Sequence, residues 1–296
     1  MTGAARVARR QDTNVIVEGE FAFTGEDFAR IASILYDTAG IALPDSKATL
    51  VYSRLAKRLR TIGLQSFREY CALVSSSEGL DERQAMLAAL TTNVTRFFRE
   101  PHHFEHLKAN VVAPMADAIR RGARLRIWSA GCSTGQEPYS IALAILSVIP
   151  EAPKLDVRIL ATDIDPNVIA TAREGLYSDD LVEPIPTALR NQWLERAGPD
   201  RKMWSIGHAA RSLVTFNELN LMGNWPMKGK FQSIFCRNVV IYFDEPTQEK
   251  MWARFAATMA PNGWLYVGHS ERVSLASCPF SNEGLTSYRL TTGGAA

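Results

Sequence analysis

The sequence predicts an α/β protein in which a mostly parallel sheet follows an all-helical amino-terminal segment. Two observations carry this prediction. Apolar strands and helices alternate after Leu125, whereas the region between Thr24 and Leu90 shows helical periodicity alone. Alternating strands and helices are typical of a parallel sheet whose two faces are covered by helices.

Composition excludes several other classes of protein. The chain has 296 residues, 46% of them hydrophobic and 22% charged, and its 33 lysines and arginines nearly balance 31 carboxylates. These values exclude intrinsic disorder and a collagen-like fibre. The 4 cysteines are far apart and form no C-x-x-C pair, which argues against a redox dithiol, a zinc site of that kind or a disulfide scaffold. Because the sequence has neither an apolar run of about 18 residues nor a secretory signal, we expect a cytoplasmic protein without membrane insertion.

The amino-terminal helices are predicted from spacing and from residues that begin and end helices. Phe28, Ile31 and Leu35 recur at helical intervals behind Thr24, which is a suitable N-cap, and Gly40 is a stop signal. The same reasoning predicts three further helices, at 46–61, 67–74 and 82–90.

The α/β part is predicted from apolar runs bounded by glycine, proline and polar residues. Strands are expected near 125–129, 157–161, 214–216, 231–236 and 264–268. Helices are expected to begin at Pro138 and Pro166 and to cover 247–259.

Changes of pattern along the chain predict its domain boundaries. Between 176 and 214 the alternation breaks into short polar pieces that contain Pro184, Pro186 and Pro199, which indicates a small inserted lobe. The predicted parts are a flexible tail at 1–22, a helical domain at 23–90, an α/β domain at 91–292 with the insert at about 176–214, and a tail at 293–296.

A glycine-containing turn and an acidic residue indicate the ligand site. Gly131 and Gly135 join the first strand of the α/β domain to a helix that carries Glu137, and the next strand ends at Asp163. An acid in that place binds ribose hydroxyls in nucleotide-binding folds. The spacing G-x-x-x-G and the extra carboxylate of Glu137 weaken a dinucleotide interpretation and favour S-adenosylmethionine, a ligand with ribose, adenine and a cationic centre. A plain turn with a surface acid, and a nicotinamide-dependent enzyme, stay open as alternatives.

A cluster of positive charge indicates an anionic partner. Residues 46–68 contain six lysines and arginines and no carboxylate. On a helix, Arg54, Lys57 and Arg58 share one face, which we predict to be a docking surface. A solvated face without a partner is the alternative, and nucleic acid is disfavoured because no recognition motif accompanies the charge.

Four strings carry a resemblance to a known family. They are 90–100 (LTTNVTRFFRE), 128–140 (WSAGCSTGQEPYS), 235–244 (FCRNVVIYFD) and 268–271 (GHSE). Together with the helical strings at 40–43 and 53–60, they resemble the chemotaxis receptor glutamate O-methyltransferase (CheR) family over roughly residues 24–292.

The resemblance implies an S-adenosylmethionine-dependent methyltransferase fold with a small antiparallel β-subdomain inserted in it and a helical domain before it. It implies methyl transfer from S-adenosylmethionine to glutamate side chains on cytoplasmic helices of chemoreceptors, which sets chemosensory adaptation. The docking surface would then meet glutamate-rich receptor helices. Family cofactor contacts correspond to Asn93, Thr95, Arg99, Glu137, Asp163, Asn220, Leu221, Arg237 and Asn238. The resemblance also places Arg99 and Tyr242 beside the methyl group as catalytic residues.

One departure from the family concerns the inserted lobe. Some members use a glycine-rich loop there to dock a peptide at the receptor's carboxyl terminus, but 196–200 (RAGPD) has a single glycine. This departure argues against peptide docking.

The sequence also contains a metal-binding pattern and leaves one alternative function open. His102, Glu105 and His106 satisfy H-x-x-E-H, a zinc hydrolase pattern, but no third ligand follows, so we expect no metal. A non-catalytic protein that senses S-adenosylmethionine and binds receptors is the alternative function. The presence of Arg99, Tyr242 and Asp163 argues against it.

Overall fold

A computed structural model describes residues 14–275 and 278–291 of the chain. The chain divides into two compact units, Met1–Leu90 and Thr91–Ala296. None of the helices in these described ranges is long and apolar enough to cross a membrane.

The first unit contains the four predicted helices. Their bounds are α1 (Gly25–Ala39), α2 (Ala48–Ile62), α3 (Phe67–Ser75) and α4 (Leu80–Leu90). Thr24 is the N-cap of α1, because its hydroxyl accepts from the Asp27 amide at 3.2 Å while the Asp27 carboxylate accepts from the Thr24 amide at 3.0 Å. Phe28, Ile31 and Leu35 are buried, as their spacing predicts.

The prediction of a flexible tail through residue 22 is wrong for part of its length. Strand β1 (Val15–Val17) pairs antiparallel with β2 (Phe23–Thr24) in front of α1. Phe23 is fully buried, and its ring centroid lies 4.4 Å from that of Phe67. Aromatic burial therefore anchors a segment that is too short to show strand alternation. Residues 1–13 and the predicted tail at 293–296 lie outside the described residues.

The second unit is built on a seven-stranded sheet. Its strands are β3 (Leu125–Ala130), β4 (Val157–Asp163), β8 (Val214–Glu218), β9 (Phe231–Cys236), β10 (Met259–Val267), β11 (Phe280–Asn282) and β12 (Ser287–Leu290). The order is β11-β12-β10-β9-β3-β4-β8. The five strands from β10 to β8 are parallel, and β12 and β11 are added antiparallel at one edge.

Helices connect these strands and bury apolar side chains against the sheet. Their bounds are α5 (His102–Leu107), α6 (Ala113–Arg120), α7 (Gln136–Val148), α8 (Pro166–Glu174) and α12 (Glu245–Thr258). A π-helical stretch, Lys108–Val112, lies between α5 and α6. Helix α7 is buried over most of its length, which explains its nearly continuous apolar sequence.

The predicted insertion is a small antiparallel sheet with three short helices. Strands β5 (Leu176–Ser178), β6 (Leu194–Ala197) and β7 (Met203–Ile206) pair in the order β5-β7-β6. The helices are α9 (Asp179–Val182), α10 (Thr187–Trp193) and α11 (His208–Arg211). The predicted fold class, a mostly parallel sheet with an antiparallel insert and a helical segment before it, is confirmed.

Candidate functional site

The predicted glycine turn lies at the carboxyl ends of the parallel strands. The chain leaves β3 in one direction towards β4 and later returns to place β9 on the other side of β3, so the strand order reverses there. Open α/β sheets bind ligands in the crevice outside such a switch point. Gly131 has φ 88° and Gly135 has φ 95°. A Cβ atom on Gly131 would lie 2.3 Å from the side chain of Val239, so a larger residue is excluded by both conformation and space.

Asp163 lies beside this turn with its carboxylate held in place by backbone groups. Its Oδ2 accepts a hydrogen bond from the Ser133 amide at 2.8 Å, and its Oδ1 accepts one from the Asp165 amide at 3.1 Å. Burial raises the pKa of Asp163 above its usual range, and these amides oppose the shift. Backbone amides do not use all four lone pairs of the carboxylate, so the group can still accept hydrogen bonds from a ligand.

Asn93 is hydrogen-bonded to residues beside Asp163 and the glycine turn. Its side-chain amide donates to Oδ2 of Asp165 at 3.0 Å, and its carbonyl accepts from the Ser133 hydroxyl at 2.9 Å. Ser133 and Asp165 were not predicted as site residues. Asp165 is also the N-cap of α8, a signal readable in Asp-Pro, whereas the role of Ser133 depends on its turn conformation with φ 49°.

A second set of charges lies where β3 and β9 end. Nη1 of the Arg237 guanidinium donates to Oε2 of Glu137 at 3.2 Å. Its Nη2 forms an ion pair with Oε2 of Glu100, also at 3.2 Å. The Ser129 hydroxyl donates to the other Glu137 oxygen at 2.7 Å. Burial raises the pKa of Glu137, and Arg237 acts against that shift. Glu100, which was not predicted as a site residue, has a lowered pKa because Arg237 and His269 offset its burial.

The predicted catalytic residues, Arg99 and Tyr242, have partly exposed side chains, and Arg99 borders this network through its backbone. Arg99 donates from Nη1 to the Val94 carbonyl at 3.1 Å, and its own carbonyl accepts from Arg237. Tyr242 lies in the 3₁₀ turn Val240–Tyr242 that follows β9. The hydrogen bonds within 14–275 and 278–291 do not join the side chains of Tyr242 and Thr95 to the charged network.

The two loops that carry the other predicted contacts are both fixed by hydrogen bonds. The Leu219 amide donates to the Asp163 carbonyl at 2.9 Å, which brings Asn220 and Leu221 to the end of β4. The Asn220 side chain accepts from the Met222 amide at 2.9 Å. Asn238 has φ 61°, and its amide donates to the buried carboxylate of Glu271 at 2.8 Å.

Comparison with known proteins decides the family. Residues 93–289 match the family model of the CheR methyltransferase SAM-binding domain, and residues 26–91 match that of the CheR all-alpha domain. The chain is 54% identical over 263 residues to a probable chemotaxis protein methyltransferase of Rhizobium etli, covering 88% of this chain and 98% of the relative. It is 42% identical over 275 residues to chemotaxis protein methyltransferase 2 of Pseudomonas aeruginosa, covering 91% and 94%.

The chain belongs to the CheR methyltransferase family. The predicted resemblance is thus confirmed, together with an S-adenosylmethionine-binding domain. A similar protein of Escherichia coli, named chemotaxis protein methyltransferase, is 39% identical over 272 residues, covering 91% of this chain and 92% of that protein.

Three side chains with metal-binding atoms cluster next to the charged network. Ligand atoms of Glu100, His102 and His103 lie within 4.8 Å of one another, whereas the H-x-x-E-H pattern had indicated Glu105 and His106. However, Oε2 of Glu100 already faces the Arg237 guanidinium at 3.2 Å, and that positive charge opposes a second cation. The expectation that the site uses no metal stays a prediction.

The predicted docking surface on α2 has internal contacts as well as exposed charge. Arg58 forms a bidentate pair with Glu82, from Nε to Oε1 at 3.0 Å and from Nη2 to Oε2 at 2.5 Å. Arg54 donates to the carbonyls of Ala89 and Leu90 at 3.2 and 3.0 Å, and Lys57 is exposed. Two of the three predicted docking residues therefore also hold α4 against α2. The sequence could not show this, because Glu82 is 24 residues from Arg58.

Proposed function

We propose that this chain transfers a methyl group from S-adenosylmethionine to glutamate side chains on cytoplasmic helices of chemoreceptors, as a protein-glutamate O-methyltransferase in chemosensory adaptation. One observation carries the cofactor part of the proposal. The buried Asp163 carboxylate lies at the end of β4, next to the switch point of the parallel sheet, and accepts a hydrogen bond from the Ser133 amide of the glycine turn. Family membership and the names of the chemotaxis relatives support the rest.

The charge of the crevice suits a cationic cofactor. Four carboxylates, from Glu100, Glu137, Asp163 and Asp165, line the carboxyl ends of the strands with one buried guanidinium, that of Arg237. The excess of negative charge favours a sulfonium and disfavours the pyrophosphate of a dinucleotide. When bound, S-adenosylmethionine supplies a methyl group on a positively charged sulfur.

Different residues of the chain would hold and orient different parts of the reactants. Asp163 accepts hydrogen bonds from the ribose hydroxyls, and Glu137 faces the positively charged part of the cofactor. The remaining cofactor contacts are Asn93, Thr95, Arg99, Asn220, Leu221, Arg237 and Asn238. All of them border the strand ends or the loops tied to those ends.

The proposed reaction does not require a general base. A glutamate side chain with a pKa of about 4.3 is already ionised at neutral pH. Orientation of the reacting atoms can contribute about 7–11 kcal/mol to lowering the barrier. Arg99 would align a carboxylate, either that of the cofactor or that of the incoming glutamate. The partly exposed Tyr242 would line the methyl site and donate a hydrogen bond to the incoming glutamate.

The receptor would be recruited by the basic face of α2. Lys57 is exposed, and Arg54 and Arg58 are partly exposed beside it. A positive face attracts glutamate-rich helices and speeds their encounter. The same interpretation places the protein in the cytoplasm, where receptor signalling helices lie. Binding of nucleic acid, and docking of a receptor carboxyl-terminal peptide on the insert, are not expected.

Base-labile methyl incorporation into receptor cytoplasmic fragments tests the proposal. We expect incorporation to need S-adenosylmethionine and to fall at least about 100-fold in Arg99→Ala, because orientation of the carboxylate is lost. Arg96→Ala is the matched control, since Arg96 is an exposed arginine in the same loop, and it should retain activity. Cofactor binding without turnover on a panel of receptor fragments would instead favour a non-catalytic sensor.

A further inference from the structure

Glu271 is a buried carboxylate outside the predicted set of site residues. It receives backbone amides from two separate segments. Its Oε1 accepts from the amides of Val239 and Val240 at 2.9 Å and from that of Ile241 at 3.3 Å. Its Oε2 accepts from the Asn238 amide at 2.8 Å and from the Gly268 amide. Five backbone donors thus converge on one side chain that is 3% exposed.

This carboxylate determines the path of the chain after β9. The segment 238–241 begins with Asn238 in the left-handed region, at φ 61°, and leads into the 3₁₀ turn that carries Tyr242. A non-glycine residue with positive φ costs free energy and persists only where its surroundings hold it. Four of the five amides bound by Glu271 are those of the consecutive residues 238–241, which turn around its carboxylate. The carboxylate therefore supplies the surroundings that this conformation needs.

The same segment contacts the glycine turn. A Cβ atom on Gly131 would lie 2.3 Å from Cγ2 of Val239, so the Val239 side chain fills the space that the glycine leaves open. Val239 is bound to Glu271 through its amide at 2.9 Å. A displacement of 238–241 would be transmitted to the turn by direct packing.

We propose that Glu271 is a positioning residue for the cofactor site, which acts by holding Asn238, a predicted cofactor contact, and by keeping Val239 packed against Gly131 of the glycine turn. The inference rests on the proposed function, because Asn238 and the glycine turn, which Glu271 supports, are themselves predicted to contact the cofactor. Backbone donors occupy both oxygens of the Glu271 carboxylate. A direct contact with cofactor or receptor is not required of it.

Two substitutions disturb the segment by different means. Glu271→Gln replaces one acceptor oxygen with an amide group whose hydrogens face backbone donors, so hydrogen bonds are lost without a change of size. Gly268→Ala keeps the charge of Glu271, but its Cβ would lie 2.6 Å from Nδ2 of Asn238, 2.8 Å from Oε2 of Glu271 and 2.9 Å from the Asn238 amide nitrogen, so it would displace the carboxylate from the segment. Gly268 does not have a positive φ, so the effect of alanine there is steric. Glu249→Gln, on the exposed surface of α12, is the matched control.

The experiment measures S-adenosylmethionine affinity by calorimetry, KM for cofactor and receptor fragment, and thermal unfolding of the full chain. We expect Glu271→Gln and Gly268→Ala each to weaken cofactor affinity at least tenfold at a temperature where both are folded. KM for the receptor fragment should stay within about twofold, and Glu249→Gln should match the wild type. If Glu271→Gln does not fold, Gly268→Ala alone decides.

The outcomes separate this inference from the proposed function. Lower thermal stability with unchanged cofactor affinity would show a purely structural role for Glu271 and overturn the inference alone. A cofactor KM and a receptor KM that rise together would do the same, because they would indicate a general loosening of the domain. Failure of the wild type to bind S-adenosylmethionine would overturn the proposed function, and this inference with it.

Discussion

Two arginines, Arg237 in the crevice and Arg58 on α2, both form ion pairs with glutamate, but their surroundings differ. The Arg237 side chain is 2% exposed and faces Glu137 and Glu100, whereas the Arg58 side chain is 29% exposed and pairs with Glu82. A buried charge depends on its partners because water cannot replace them. A partly exposed charge loses less when its partner is removed. The crevice should therefore respond strongly to single substitutions, and the basic face weakly.

The largest effect is expected when the buried arginine is removed. Arg237→Gln would leave Glu137 and Glu100 without their guanidinium, and breaking a buried pair in this way costs about 3–5 kcal/mol of unfolding free energy. Denaturant titration measures this loss. The double variant with Glu137→Gln should recover part of it, because one of the two carboxylates left unpaired is then neutral. Additive effects of the two substitutions would show that the pair does not couple.

Acid sensitivity provides a second test of the buried charges. His103 is fully buried, donates from Nε2 to the Leu285 carbonyl at 2.9 Å, and lies near Arg237, His102 and Glu100. Burial, with a contribution from Arg237, lowers its pKa to about 3 from the ordinary value of 6.5. Between those two values the unfolded chain binds more protons than the folded one. Stability supplied by the neutral imidazole is thus complete above pH 6.5 and is lost as the pH falls towards 3.

The size of this loss can be measured against a variant that does not titrate. From pH 6.5 to about 4.5, the wild type should lose about 2–3 kcal/mol more unfolding free energy than His103→Gln, at about 1.4 kcal/mol per pH unit. Glutamine retains a donor for the Leu285 carbonyl, and Glu100 and the other carboxylates titrate in both proteins. Parallel stability curves for the two proteins would contradict the buried, neutral state of His103.

The contrast between the two regions also explains what the sequence could predict. Helix α1 was predicted from Thr24 to Gly40 because its cap and apolar spacing are local signals. The glycine turn and Asp163 were equally local, since each follows an apolar strand. Glu271 and Glu100 were not identified as site residues, because their roles depend on residues about 30 and more than 130 positions away. The six cations at 46–68 were visible in the sequence, but the sequence could not show that Glu82 pairs with Arg58 of α2.

The smallest effects are expected on α2, where two neighbouring cations should separate stability from docking. Arg58→Ala breaks a bidentate pair and should lower the unfolding free energy by about 1 kcal/mol, because the pair is only partly exposed.

Lys57→Ala should leave stability unchanged, since its side chain is exposed. Its effect should instead be a severalfold rise in KM for the receptor fragment at low salt, which shrinks as ionic strength rises, because exposed charges are screened within about 8–10 Å. Unchanged receptor KM in Lys57→Ala at every salt concentration would show that α2 carries a solvated face rather than a docking surface, whereas the stability of Arg58→Ala would still report on the ion pair.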